Sequence, residues 1–271
     1  MRVSKSLGRM IERSGVGVHS GVEGWVRIAP APHGTGIYVG RAGHPSVRLS
    51  PALSRAIPGA TVLTLPGGEV STPEHLLAAI AGLGITDAEI EFGGAEVPVL
   101  DGSSRPWCEA IVDAGVIDGP AVRAVAPARL RLVEAAGGWA EVRPAEDLRL
   151  RVAIDYDDGP CESVDLMLPR GDFVGEISWA RTFVMERDVA RLRAAGRGRG
   201  ANLHNTVVYR GSEAVANPGG LRGPLEAARH KMVDLLGDLA LAGVPLRGEV
   251  VVVRGTHALH HDLLHAWLER S

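Results

Sequence analysis

The chain has 271 residues, 45% hydrophobic and 23% charged, enough to bury one large core or two modest ones. A net charge of −3 excludes the basic excess of a protein built for nucleic acid. The two cysteines, Cys108 and Cys161, form no CxxC pair, which fits a reducing compartment and argues against a cysteine-ligated metal. The first residues lack the apolar stretch of a signal peptide, and no apolar run reaches the roughly 18 residues of a membrane span. The expected location is the cytoplasm.

Residues 22–28 and 37–39 read as short strands, separated by the turn Pro30-Ala31-Pro32-His33-Gly34. Residues 74–83 read as a helix, with Thr72 as N-cap and Pro73 at the first position, where its missing N–H costs nothing. Gly82 and Gly84 end it. Residues 87–92 follow as a strand, and 104–114 as a helix capped by Asp101 or Ser103 and stopped by Gly115. Strands are expected again at 129–134, 139–142 and 148–155. Residues 191–200, rich in Gly and Arg, read as an exposed loop. A long helix at 225–242, a β-branched strand at 249–254 and a final helix at 258–269 complete the chain. A helix followed by a strand occurs in both parts. The expected fold is therefore α+β, with two similar halves at 1–120 and 126–271 joined near residues 118–126.

The chemistry concentrates on these helices. His230 and Asp234 stand at i, i+4, about 6 Å apart along the helix axis and on one face. Alone, such a pair is common on amphipathic helices. His75, near the start of the first helix, offers a third ligand, and three ligands with an open fourth position are what a catalytic zinc site needs. Glu74 beside it is the candidate base, kept ionised by the positive helix end. Asp238 lies too far along to share the ion, so its expected role is to fix another histidine. His257, just past the strand at 249–254, is the candidate acid or oxyanion stabiliser, held protonated by Asp238. His260, His261 and His265 read as solvated helix residues, and Arg191, Arg193, Arg197 and Arg199 as a solvated loop. Residues 15–21 (GVGVHSG) have the wrong spacing for a dinucleotide loop and read as a tight turn between strands.

Six stretches carry a resemblance: 15–21 (GVGVHSG), 72–85 (TPEHLLAAIAGLGI), 96–106 (EVPVLDGSSRP), 177–183 (ISWARTF), 229–238 (RHKMVDLLGD) and 255–259 (GTHAL). In this order they make the chain resemble the bacterial UDP-3-O-acyl-N-acetylglucosamine deacetylases, the zinc enzymes of the committed step of lipid A synthesis. The resemblance implies two α+β halves, each a sheet with helices on one face, with the helices sandwiched between the sheets. It implies hydrolysis of the N-acetyl group to acetate and a free amino sugar. Zinc would be held by His75, His230 and Asp234, with Fe2+ as the alternative ion. Glu74 would be the base, and His257, oriented by Asp238, the acid or cationic stabiliser. The Thr182 hydroxyl would meet the oxyanion. Lys231, Tyr156, Asp155, Phe183 and Arg254 would bind substrate, and the segment from Phe183 to Val207 would line an apolar passage for the acyl chain. The implied partner is a UDP-linked acylated amino sugar, with no nucleic acid and no membrane span, and the expected state is a monomer.

The chain departs from the family pattern at His204, Arg254, Thr256 and Gly138. Those departures leave open a zinc amidohydrolase for another N-acetylated sugar or small amide; a second alternative is a non-catalytic nucleotide-sugar binder.

Overall fold

The computed structural model describes residues 1–134, 137–168, 172–212 and 214–271. The first half contains β1 (Arg2–Leu7), β2 (Ile11–Val16), β3 (Glu23–Pro30), β4 (Ile37–Arg41), β5 (Val47–Arg48), β6 (Ser54–Ile57), β7 (Ala60–Leu65), β8 (Gly68–Ser71), α1 (Glu74–Gly82), β9 (Ala88–Phe92), α2 (Arg105–Ala114) and β10 (Val116–Val122). The second contains β11 (Leu130–Val133), β12 (Trp139–Arg143), β13 (Leu148–Asp155), β14 (Cys161–Leu168), α3 (Phe173–Glu176), β15 (Phe183–Met185), α4 (Glu186–Ala194), β16 (Val207–Tyr209), α5 (Glu226–Leu239), β17 (Gly248–Val253) and α6 (His257–Glu269). The α+β class is as expected.

Each half builds a five-stranded sheet in the same order, β2-β3-β9-β4-β5 and β11-β12-β17-β13-β14. In both, the strand that follows the site helix inserts at the centre, parallel to one neighbour and antiparallel to the other. Burial alternates with period two, as in β13, where Leu148, Leu150, Val152 and Ile154 point inward and the residues between them are half-exposed. Each sheet is thus covered on one face only. One continuous core joins the inward residues of both sheets to the buried faces of α1 and α5. Between them, α1 packs on α5, while α5 lies on β13 and β14 and α6 on β11 and β12.

The α1–α5 contact is unusually close. A Cβ placed on Gly237 would lie 2.1 Å from the Glu74 carbonyl oxygen, so only glycine admits this approach. It brings the first turn of α1 against the middle of α5, where the candidate site residues sit.

Several local expectations change. Thr72 is not the N-cap of α1: its φ is 60°, Pro73 takes the cap position and no side chain caps the helix. The backbone must turn sharply out of β8, and the Thr72 amide is already held by the Thr61 carbonyl at 2.9 Å. Within the expected loop at 191–200, α4 continues to Ala194, with arginines in its last turn where they favour the helix end. α6 begins at His257, one residue earlier than expected, because the Thr256 hydroxyl accepts the Leu259 amide as a true cap. The β6-β7-β8 sheet and the β1–β10 pair had no clear sequence signal; β10 carries Gly119 and Pro120 and pairs with a strand more than a hundred residues away. Among the described residues no helix is long and apolar enough to cross a membrane.

Gly237→Ala is expected to cost about 1–3 kcal/mol, because two helix backbones must part to admit one methyl group. Denaturant unfolding reads this directly; an unchanged midpoint and slope would show that the helices do not meet there.

Candidate active site

Both site helices start from constrained backbone. Ahead of α1, the buried Glu96 carboxylate accepts the His19 and Ser20 amides, each at 2.8 Å, and the Thr72 hydroxyl at 3.4 Å. The 15–21 segment therefore wraps around a carboxylate, and a Cβ on Gly17 would overlap that carboxylate. The tight-turn reading holds, since the Gly21 amide bonds the Gly17 carbonyl. The Ser104 hydroxyl donates to the His75 carbonyl at 2.7 Å and secures the first turn.

Ahead of α5, Leu225 has φ of 58° and Glu226 is fully buried. Arg181 pairs with it through Nε at 2.8 Å and Nη2 at 3.1 Å, a bidentate geometry that makes a buried pair tolerable. This pair fixes the 177–183 segment on α5. It places the Ala180 carbonyl 3.1 Å from His230 Nδ1, which donates to it and so leaves Nε2 as the free lone pair.

The three expected ligands converge. His230 Nε2 lies 3.4 Å and His75 Nε2 3.7 Å from Asp234 Oδ1. Their ligand atoms all fall within 4.8 Å of one another, and all three residues are buried. Ligands about 2.0–2.2 Å from a tetrahedral zinc stand about 3.4 Å apart, so this donor set, with separations of 3.4 and 3.7 Å to Asp234, fits a divalent cation. Burial lowers His230 to about 4, which keeps the imidazole in the neutral, ligating form. Burial pushes the Asp234 carboxyl up, but the Lys231 ammonium and His230 outweigh it and hold it well below the carboxylate range. Lys231 Nζ donates to Asp234 Oδ2 at 2.9 Å, leaving Oδ1 toward the histidines.

A second cluster flanks the first. Asp238 is buried and accepts His257 Nδ1 at 2.7 Å, as expected from sequence. It also accepts His260 Nδ1 at 2.8 Å and the Thr61 hydroxyl at 2.6 Å, and Thr61 Oγ1 in turn meets His261 Nε2 at 2.9 Å. His260 and His261 are thus buried network members and not solvated residues; of the three, only His265 is exposed. The signal was present: 257, 260 and 261 stand at i, i+3, i+4, one face of a helix. Burial pushes His257 down, but Asp238 outweighs it and lifts the imidazole to about 9. Burial lifts the Glu74 carboxyl to about 7, against the pull of His257 and His75. The helix end therefore does not keep Glu74 firmly ionised; desolvation is the stronger effect and poises it to exchange a proton near neutrality.

Both clusters open into a cavity of about 710 Å³. Tyr156, Thr182, Phe183 and Lys231 line it together with Glu74, the three ligands and His257. Phe183 meets Tyr156 edge-on at 5.7 Å and His230 at 6.1 Å, an aromatic wall that reaches the cluster. The β15–α4–β16 segment adds Val184, Val189 and Leu192 to the lining. Asp155 and Arg254 are not on the lining: both are exposed, and the Arg254 amide is held by Ala153 in a left-handed turn after β17. His19, without a role in the sequence reading, and Arg197, read there as part of a solvated loop, both line the cavity; Arg197 Nη2 lies 2.7 Å from His19 Nε2, and its Nη1 donates to the Pro58 carbonyl.

A family profile described as UDP-3-O-acyl N-acetylglycosamine deacetylase matches residues 4–269. Curated proteins named UDP-3-O-acyl-N-acetylglucosamine deacetylase are similar over nearly the whole chain. The one from Myxococcus xanthus is 37% identical over 96% of this chain and 84% of its own length. That from Solibacter usitatus is 38% identical over 97% and 90%, and that from Brucella ovis 38% over 97% and 94%.

The His257–Asp238 contact predicts a pH-dependent contribution to stability. The folded value, about 9, lies above the ordinary 6.5, so the contribution is fully present below 6.5 and disappears as pH rises through about 9. Asp238→Asn is expected to remove this dependence. Unfolding free energies from pH 6 to 10 read it, and identical pH profiles for wild type and variant would contradict the assignment.

Proposed function

The chain belongs to the UDP-3-O-acyl N-acetylglycosamine deacetylase family, and from that premise we propose that His75, His230 and Asp234 hold its metal, with Glu74 as base and His257 as acid. It is a hydrolytic deacetylase of lipid A biosynthesis. The substrate is UDP-3-O-acyl-N-acetylglucosamine, and the products are acetate and the UDP-linked 3-O-acyl-glucosamine. The observation that supports this reading is the convergence of three buried ligand atoms within 4.8 Å at the head of a cavity that Glu74 and His257 also line.

Zinc is the proposed ion, with Fe2+ the alternative that a His2Asp set also accepts. Bound there, the cation supplies Lewis acidity, acidifying water toward neutral pH and polarising the amide carbonyl. Glu74 takes the proton of the attacking water, its Oε2 oriented by the Thr61 amide at 3.4 Å. His257, protonated and clasped by Asp238, supports the oxyanion and gives its proton to the leaving amine. The Thr182 amide is fixed on the Gly102 carbonyl at 2.8 Å, which holds its hydroxyl on the cavity wall as an oxyanion donor. Lys231 spends one N–H on Asp234 and keeps two for the substrate's polar head. Tyr156 stacks on the uracil, Phe183 packs the sugar, and the β15–α4–β16 wall receives the acyl chain.

Neither alternative is favoured by the geometry. His204, Arg254, Thr256 and Gly138, the departures that pointed to another amide substrate, all lie off the cavity lining. Thr256 is a helix cap, and a Cβ on Gly138 would lie 2.6 Å from the Arg254 carbonyl, so both have structural reasons. A mere binder needs no buried acid and base side by side. A nucleotide-linked substrate supports a cytoplasmic location. One chain supplies every proposed site residue, which supports a monomer. The repeated sheet order supports domains at 1–120 and 126–271.

Glu74→Gln is expected to keep one equivalent of metal and lose about 10²–10⁴ of kcat in hydrolysis of the UDP-linked substrate. His75→Ala is expected to lose the metal itself, read by elemental analysis after gel filtration. Metal-loaded Glu74→Gln with wild-type turnover, or His75→Ala with full stoichiometry, would overturn these roles.

A further inference from the structure

We propose that His260 is a positioning residue for the deacetylation, acting through Asp238 to orient His257 and temper its proton affinity. The proposal rests on the reading of His257 as the acid. It starts from one oxygen: Asp238 Oδ2 receives His257 Nδ1 at 2.7 Å and His260 Nδ1 at 2.8 Å, with the two rings 6.0 Å apart and 75° to one another. The other oxygen, Oδ1, is taken by the Thr61 hydroxyl at 2.6 Å.

A carboxylate oxygen has two in-plane lone pairs, and here each holds one histidine. Two donors on one oxygen draw on the same negative charge, so each weakens the other's hold. His260 is 1% exposed, so no water replaces its N–H when it is lost. Its far edge is fixed as well: a Cβ on Gly255 would lie 2.8 Å from His260 Nε2, so the ring rests on the backbone just before His257. The ring therefore touches both the partner of the acid and the turn that delivers it. Asp238 alone on His257 would bind the imidazolium proton too firmly for an acid that must release it near neutral pH. His260 lessens that grip while keeping Asp238 fully hydrogen-bonded.

The charged and titratable groups facing His257 are Asp234 and Asp238 of α5 and Glu74 of α1; His260 shares its helix. Lys231 faces His260 from α5, and His261 meets Asp238 Oδ1 only at 3.7 Å. Burial keeps His260 neutral, so it acts as a dipolar donor and adds no charge.

The test compares two variants in the metal-loaded, full-length enzyme. Asparagine places an amide nitrogen near Nδ1 and keeps the donor, whereas glutamine places it one bond farther and loses the donor at similar volume. In His260→Gln the His257 ring, followed by carbon-13 NMR and assigned with His257→Gln, is expected to titrate about one pH unit higher, tenfold in proton affinity. Its kcat is expected to fall about threefold or more with KM unchanged, and the basic limb of its pH profile to move up. His260→Asn is expected to stay close to wild type in both. Equal shifts in the two variants, or none in either, overturn the proposal. A measurement on the unaltered protein stands behind them: both imidazole Nδ1–H protons are expected as exchange-protected downfield resonances lost in Asp238→Asn, and a single such resonance overturns it too. The NMR titration reads His257 whatever its role, and wild-type turnover in His257→Gln would instead sink the acid assignment.

Discussion

The site depends on one backbone contact. Gly237 lets α5 approach the Glu74 carbonyl more closely than any side chain would allow. His75 then faces His230 and Asp234, while Glu74 faces Asp238 and His257. Had a larger residue stood at 237, the two helices would pack at ordinary side-chain separations of about 8–10 Å. His75 would then miss His230 and Asp234. The contact therefore accounts for a glycine placed between Asp234 and Asp238 in a helix, where its propensity alone would be a cost.

Close approach also concentrates buried charge, which the surrounding donors must offset. Asp234 is met by the Lys231 ammonium, Asp238 by two imidazoles and the Thr61 hydroxyl, and Glu226 by Arg181. The two aspartates are thereby held well below the carboxylate range, although burial alone would push them up. Glu74 has the fewest donors, a single long bond from the Thr61 amide, and burial raises it to about 7. The same environment that fixes its neighbours leaves this group free to exchange protons. Thr61 joins the two systems, since its amide meets Glu74 and its hydroxyl meets Asp238.

Sequence disclosed what is periodic or locally spaced. The i, i+4 pair at 230 and 234, the strand alternation at 148–155 and the helix after Pro73 are properties of a few neighbouring residues. What it did not disclose depends on partners far along the chain. Thr61 lies 177 residues from Asp238, and Arg197 lies 178 from His19. A threonine in a strand or an arginine in a Gly-rich segment carries no sign of such a contact. His260 and His261 did carry a helical spacing, but their burial came from Asp238 and β7, neither of which lies nearby in the sequence. Resemblance to a family supplied roles for single residues, and geometry separated those on the cavity wall, such as Tyr156, from those off it, such as Arg254.

The central claim is that side chains from both halves hold one divalent cation. X-ray anomalous scattering from crystals of the zinc-loaded protein, collected on either side of the zinc absorption edge, tests it most directly. The account predicts one strong peak within bonding distance of His75 Nε2, His230 Nε2 and the Asp234 carboxylate. A peak centred instead on Asp238, His257 and His260, or none between α1 and α5, would contradict it.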